Sequence, residues 1–429
     1  MMSSVRPPTR TRAVFRGWFV VATSFAVLAV AYGMQFSFGV FVDPITDDTG
    51  WSTTSLSIAY ALYVALYSLL SSVSGWATDR FGPRVVLVVG GAVLGTGWAL
   101  MGVARAPWQV YLALGVVAAV GMSASWVPTN ATVVKWFVRR RGLAVGIAST
   151  GGSVGNFAVP PIIAACIVAF GWRPTLVAMG VLGGLAVVIL ARWMVRSPES
   201  VGLHPDGDPE PAATGSEGGG FTAAQARRTG TFWVIFAVFA LTWLVVFVPF
   251  LHVVPFAEDL GIGSLMAAWV VSVIGIGGAA GRLLVGPGSD RLGRRTALAA
   301  MLAAQVVGFL GLAVAEGLPL LLPSAFIFGF AYGGGVTTMP GLVGDYFGRA
   351  HVGSIVGAIF ALSGSLAAIG PFVAGLLYDA TGSYRSSFVL SALCNLAALS
   401  LVAFLRPPAQ RSFQASTPSA SRASTVASS

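Results

Sequence analysis

"DRFGPR" occupies residues 79–84 and "DRLGRR" residues 290–295. The two lie 290 − 79 = 211 residues apart, and Asp48/Asp259, Gly50/Gly261, Pro44/Pro255, Gly142/Gly353, Gly146/Gly357 and Pro160/Pro371 hold the same offset. A register kept across separate segments marks an internal duplication, and it divides the chain before any secondary structure is assigned.

What is duplicated follows from composition. The 429 residues are 56% hydrophobic and 9% charged, against about 45–50% and about 25% in soluble domains. A helix needs about 17–25 largely apolar residues to cross a bilayer. Such runs fall near 17–42, 54–75, 85–104, 108–133, 143–168 and 173–195, and again near 231–254, 264–287, 296–315, 319–343, 353–377 and 385–405. Six lie in each copy, so both copies start on the same side of the membrane. The expected fold is an all-α membrane protein of twelve transmembrane helices in two parallel six-helix repeats, an architecture that places substrate between two rocking halves. The halves run over 17–196 and 229–406. A tail at 1–16, a linker at 197–228 ("SPESVGLHPDGDPEPAATGSEGGGFTAAQARR") and a tail at 407–429 are too polar to bury a core and read as having little fixed structure.

The net charge of +10 and pI near 10.3 describe topology, not a nucleic-acid surface. With the N-terminus inside, 21 of the 25 basic residues fall in inner segments, and the outer loops hold only Arg105, Arg173 and Arg385. The positive-inside rule then places both termini in the cytoplasm, and the expected location is the cell's inner membrane. Ala29-Val30-Ala31 resembles a signal-peptidase site, but the apolar run continues to Val42 and the repeat needs it as a first helix, so it is read as retained. Cys166 and Cys394 lie inside spans of different halves and carry no metal or redox spacing, so no cofactor is expected. His204, His252 and His351 are scattered, and no nucleophile, base or metal constellation reads as an enzyme site.

The two copied turns join spans 2–3 and 8–9, and both resemble the loop signature of the major facilitator superfamily. That resemblance implies that Asp79, Arg80, Arg84, Asp290, Arg291 and Arg295 help hold an inner gate shut. A narrower resemblance runs through "YGMQFSFGVF" (32–41), "GWSTTSLS" (50–57), "KWFVRRRGLAVGIASTGGSVG" (135–155), "HVVPFAEDLGI" (252–262) and "DYFGRAHVGSIVGAIF" (345–360). Together these resemble the monocarboxylate transporter family and the neighbouring oxalate/formate antiporter group. Proton-coupled drug efflux pumps carry Gly-Pro-x-x-Gly-Gly late in span 5, where this chain reads "NFAVPPIIAAC". The glycines at 142, 146, 151, 152 and 155 lack a following Gly-Lys-Ser/Thr and read as close helix packing.

Arg282 lies inside span 8, a few turns from its inner end, and its side chain should lean outward toward the midplane. A charge there costs about 3 kcal/mol or more unless it meets a partner or a water-filled cavity. All 15 acidic residues can be placed outside the hydrophobic centres. A planar guanidinium fork binds carboxylates bidentately, so the missing partner is expected to be an organic anion. Snorkelling to the inner surface, or pairing with Asp290, is the structural alternative. The resemblance adds that monocarboxylate transporters carry a functional arginine in this span. It also exposes departures: an aspartate four residues earlier is Gly278 here, and a lysine of span 1 falls near Phe36. Span 11 has no Lys or Arg, so one cavity cation suits a monocarboxylate better than oxalate.

Tyr32, Gln35, Asn156 and Tyr332 are the candidate polar contacts, chosen from a mid-depth set that includes Tyr60, Tyr63, Tyr67, Ser363 and Ser365, with Trp126 and Asn130 nearer the inner end. His252 is a candidate proton site, and otherwise an interfacial histidine. The expected function is proton-coupled secondary transport of lactate- or pyruvate-like monocarboxylates by alternating access, working as a monomer. Exchange of other organic anions, drug or metabolite efflux, and a non-transporting membrane sensor are the alternatives.

Overall fold

A computed structural model of the chain describes residues 15–208 and 220–408. The expected terminal tails lie almost wholly outside the described residues, as do linker residues 209–219. Among the described residues, twelve helices are long and apolar enough to span a membrane: Arg16–Thr49, Thr54–Phe81, Pro83–Gly102, Pro107–Trp136, Arg141–Phe170, Trp172–Trp193, Gly230–Asp259, Trp269–Leu292, Arg294–Val314, Leu318–Phe347, Val352–Thr381 and Arg385–Val402. They are numbered span 1 to span 12 here, and no strand occurs among the described residues.

Local chemistry explains where the spans start, stop and bend. Ser52 caps span 2 by accepting from the Ser55 N–H, and Thr229 caps span 7 by accepting from Phe232. Left-handed or extended glycines end spans 2 and 8, Gly82 at φ 88° and Gly293 at φ 86°, and they too are 211 residues apart. These residues let the chain reverse at once into spans 3 and 9. Span 1 is interrupted at Ser37, whose hydroxyl donates to the Gly33 carbonyl and competes with the helix ladder. Span 7 breaks at Phe247 and span 11 passes through a tight turn at Leu366–Ala368. In both cases a proline, Pro249 or Pro371, removes the hydrogen bond that would bridge the break. Interrupted helices at corresponding places in two halves are the usual walls of a transport cavity.

Within each half, small residues bring helices into backbone contact. A Cβ at Gly151 or Gly155 would be driven into the Phe25 or Ala29 carbonyl of span 1, and in the second half Gly329 and Gly333 meet Ile274 and Gly278 of span 8 in the same way. The halves meet along two seams, span 5 against span 8 and span 2 against span 11. At one end of the bundle, called the basic end here, these seams are tight. Every hydrogen bond between the halves among the described residues lies between the Arg282 level and that end.

The linker is more ordered than its composition suggests. Residues 197–208 run in short turns across the basic end, and 220–228 resume with a capped helix at Ala223–Arg227.

Candidate functional site

Arg282 stands ten residues before the basic end of span 8 at Leu292, about 15 Å along a helix. Its Nη1 donates across the seam to the Ser153 hydroxyl of span 5. The guanidinium carbon lies 5.5 Å from the ring centroid of Tyr332 in span 10, within cation–π range. Its Nε is buried and has no hydrogen-bond partner. No carboxylate pairs with Arg282 among the described residues, so the cation holds one hydroxyl, one aromatic face and an unused N–H.

The first half faces this cation with a tyrosine cluster. Tyr32 of span 1 is within electrostatic reach of Tyr60, Tyr67, Tyr332 and Arg282, and its ring stacks on Phe36 at 6.1 Å. Gln35 lies one turn further along span 1, beside Tyr60 and Tyr67. The Gln35 Oε1 and Tyr63 hydroxyl are buried without partners. A buried polar atom left unpaired costs about 1–3 kcal/mol, so this wall is built to meet something polar. Below it, toward the basic end, Trp126 of span 4 stacks on Phe360 of span 11 at 4.9 Å, and Trp243 meets the same ring edge-on at 5.4 Å.

The structure therefore brings Arg282, Tyr32, Gln35 and Tyr332 into one neighbourhood. Asn156 lies one turn beyond Ser153 on span 5, exposed, and makes no hydrogen bond among the described residues. His252 belongs to another cluster: its Nε2 is 3.0 Å from the Pro371 carbonyl and its ring stacks on Tyr384 at 5.0 Å, all within the second half. Ser153 was not singled out from sequence. Its signal was the helix face, since it follows Gly142 and Gly146 at helical spacing.

At the basic end the two copied aspartates do matching work. Asp290 accepts from the Gly142 and Leu143 N–H groups that open span 5, and from Arg294. Asp79 is buried and accepts from the Ser354 N–H and hydroxyl that open span 11, and from Lys135 at 2.7 Å. Each carboxylate thus sits at the positive end of a helix from the opposite half. Asp345 joins Arg141 across the seam to Arg294. The other arginines of the two copied turns act elsewhere. Arg80 lies over the Trp76 and Phe81 rings, Arg295 donates to the Val402 and Ala403 carbonyls, and Arg84 and Arg291 are exposed. Lys135, Arg141 and Arg294 supply the positive charge of the network, and Arg294 is the one arginine of the copied turns that joins it.

Two parallel six-helix halves, with Arg282 unpaired between them and copied aspartates bridging them at one end, are the architecture of a membrane transporter built from two repeats. The Major Facilitator Superfamily model matches residues 23–367 and 246–427, and the chain belongs to that family. It is related within it to the monocarboxylate transporters. Monocarboxylate transporter 11 of Mus musculus is 30% identical over 390 residues, covering 87% of this chain and 84% of the relative. The oxalate:formate antiporter of Oxalobacter formigenes is 24% identical and covers 91% of each chain. Among solved structures, the E. coli fucose:proton symporter FucP superposes with a TM-score of 0.67 at 15% identity, over 90% of this chain and 98% of its own. The human organic anion transporter MFSD10 gives 0.67 at 17% identity, over 92% and 100%. These two likenesses concern the fold.

Proposed function

We propose that the chain is a secondary active transporter of small monocarboxylates, lactate- or pyruvate-like, which holds the anion on Arg282 and moves it by alternating access together with a proton. The observation that carries this reading is the state of Arg282: a guanidinium deep in the bundle, with a buried Nε unused and no acidic partner among the described residues. A carboxylate supplies the missing charge and matches the planar fork. The neighbouring Tyr32, Gln35 and Tyr332 offer hydroxyl and amide groups to the remaining oxygens, with Asn156 one turn toward the other end. Relatedness to monocarboxylate transporters and to an oxalate:formate antiporter supports an organic anion as the cargo.

In this reading the basic end faces the cytoplasm of an inner membrane, and the described conformation is open on the other side. The protein works as a monomer in the bilayer. The proton rides on His252 or enters with the substrate as the undissociated acid. Uptake of labelled lactate into proteoliposomes should saturate, rise when the outside is acidified, and vanish in Arg282→Gln. Uptake unchanged by that substitution would sink the assignment.

A second reading is favoured by the same unpaired cation. A half-bundle that rocks with a bare guanidinium carries an uncompensated charge, so return without an anion is costly and exchange of one organic anion for another is favoured. Vesicles preloaded with unlabelled anion separate the two, because an exchanger takes up label only into loaded vesicles.

A further inference from the structure

The linker holds a feature that the transport reading leaves unused. Asp206 adopts φ 58°, the one left-handed non-glycine residue among the described residues, and Gly207 follows it at φ 77°. A left-handed backbone is unfavourable for a residue that carries a side chain, relative to glycine. The carboxylate explains why aspartate stands there. Its Oδ2 accepts from the Val138 N–H at 3.0 Å and the Arg139 N–H at 2.9 Å, and its Oδ1 meets the Arg140 N–H at 3.4 Å. Three consecutive amides just ahead of span 5 thus form an anion-binding concavity at a helix N-terminus, and the linker itself fills it.

The same segment is tied down on both sides of the molecule. Asp208 pairs with Arg139, and the Phe15 ring packs on Gly207 and against Trp136 and Phe137. The Trp136 indole N–H donates to the Val195 carbonyl at 2.9 Å. On the other side, Glu199 accepts from Arg349 of the second half at 3.1 Å, and Arg349 also donates to the Lys135 carbonyl of the first. Lys135 is the residue whose ammonium pairs with the gate aspartate Asp79. Contacts from Arg349 exist only while the halves touch at the basic end, whereas those of Asp206 stay within the first half and the linker.

We propose that residues 197–208 form a conformational strap, fastened by Asp206 to the start of span 5, that presents Glu199 to Arg349 and biases the resting protein toward closure at the basic end. The strap acts on the equilibrium between the two orientations of the halves, because its cross-half contacts favour one of them. It touches neither Arg282 nor the tyrosine wall.

The test uses the full chain without substrate, so it stands or falls apart from the assignment of cargo. With Cys166 and Cys394 replaced by alanine, spin labels at Val85→Cys and Leu292→Cys report the separation of the halves at the basic end. Asp206→Gly relieves the left-handed backbone while removing the carboxylate. A plain turn residue would tolerate it with an unchanged distance distribution, whereas a fastening should lose at least half of the short-distance population. Glu199→Gln should shift the distribution the same way by a smaller amount, and it keeps the test open if Asp206→Gly folds poorly. Unchanged short-distance populations in the variants that fold would overturn the strap.

Discussion

The span 5–span 8 seam and the span 2–span 11 seam are one contact built twice and then put to different uses. Gly142 of span 5 meets the Gly286 carbonyl, and Gly353 of span 11 meets Gly75. Gly146 meets the Arg282 carbonyl, and Gly357 meets that of Ser71. Each residue of one pair lies 211 positions from its counterpart in the other. The offset first seen between two loops is therefore also the rule by which the two seams pack. At that level, and two turns further along spans 5 and 11, the side chains of the copies part. Where the first seam has Arg282 and Ser153, the second has Ser71 and Gly364 at the same offset. The backbone geometry is shared and the guanidinium is present once; under the proposed function the first would serve motion and the second recognition.

Exchanging chemistry at the unshared positions should break the comparison hardest. Arg282→Gln should abolish monocarboxylate uptake, while Ser71→Ala, whose hydroxyl only donates to the Tyr67 carbonyl of its own helix, should leave it within about twofold, the scale of a minor hydrogen-bond loss. The melting temperature adds a second readout. Removing an uncompensated buried cation should not lower it, whereas removing a structural ion-pair partner would.

The copied aspartates of the basic end come next. Asp79 lies buried against Lys135, and Asp79→Asn strips that ammonium of its charge partner, which should cost about 3–5 kcal/mol. Asp290→Asn should cost less, because Arg294 keeps Asp345 at 2.6 Å as a second carboxylate. Denaturation followed in detergent would check the order; equal losses would mean that the two aspartates are interchangeable. Smaller still are the glycines of the seams. Gly146→Ala and Gly357→Ala each force a methyl group into a carbonyl of the opposite half, an overpacking of about 1–3 kcal/mol that exists only in the closed state. Both variants should shift the basic end toward opening by similar amounts in spin-label distances. A large effect at one seam alone would deny that they form a symmetric pair.

What was legible in the sequence divides along the same line. The duplication, the spans and the depth of Arg282 could be read because periodicity and the cost of a buried charge leave local marks. The basic residues of the ion-pair network left fewer. Lys135 and Arg141 work through partners 56 and 204 residues away, and of the arginines in the copied turns only Arg294 is buried in that network, while Arg80, Arg84, Arg291 and Arg295 stay at the surface. Ser153 looked like one more small residue in a glycine-rich helix, and only the packing of span 5 on span 8 turns it toward Arg282. Asp206 was hidden by its neighbours, since a Pro- and Gly-rich stretch reads as featureless unless the amides it caps are known.

The smallest effect sharpens the comparison most. Ser153→Ala removes the one hydroxyl that holds Arg282 across the seam, a neutral contact to a charged group worth about 1.5–3 kcal/mol at most and closer to 1 if water replaces it. In the empty protein Arg282 would then have lost its only hydrogen-bond acceptor among the described residues. A bound carboxylate restores what the variant lost, so the deficit should appear in the unloaded state. Thermal stabilisation by a monocarboxylate should therefore be larger in Ser153→Ala than in the parent, although the unloaded variant melts lower. If Ser153 instead helps to hold the anion, the stabilisation shrinks. The direction of that one difference decides whether the serine parks the guanidinium or shares its cargo, and the second seam, with Gly364 in that place, has no counterpart to either role.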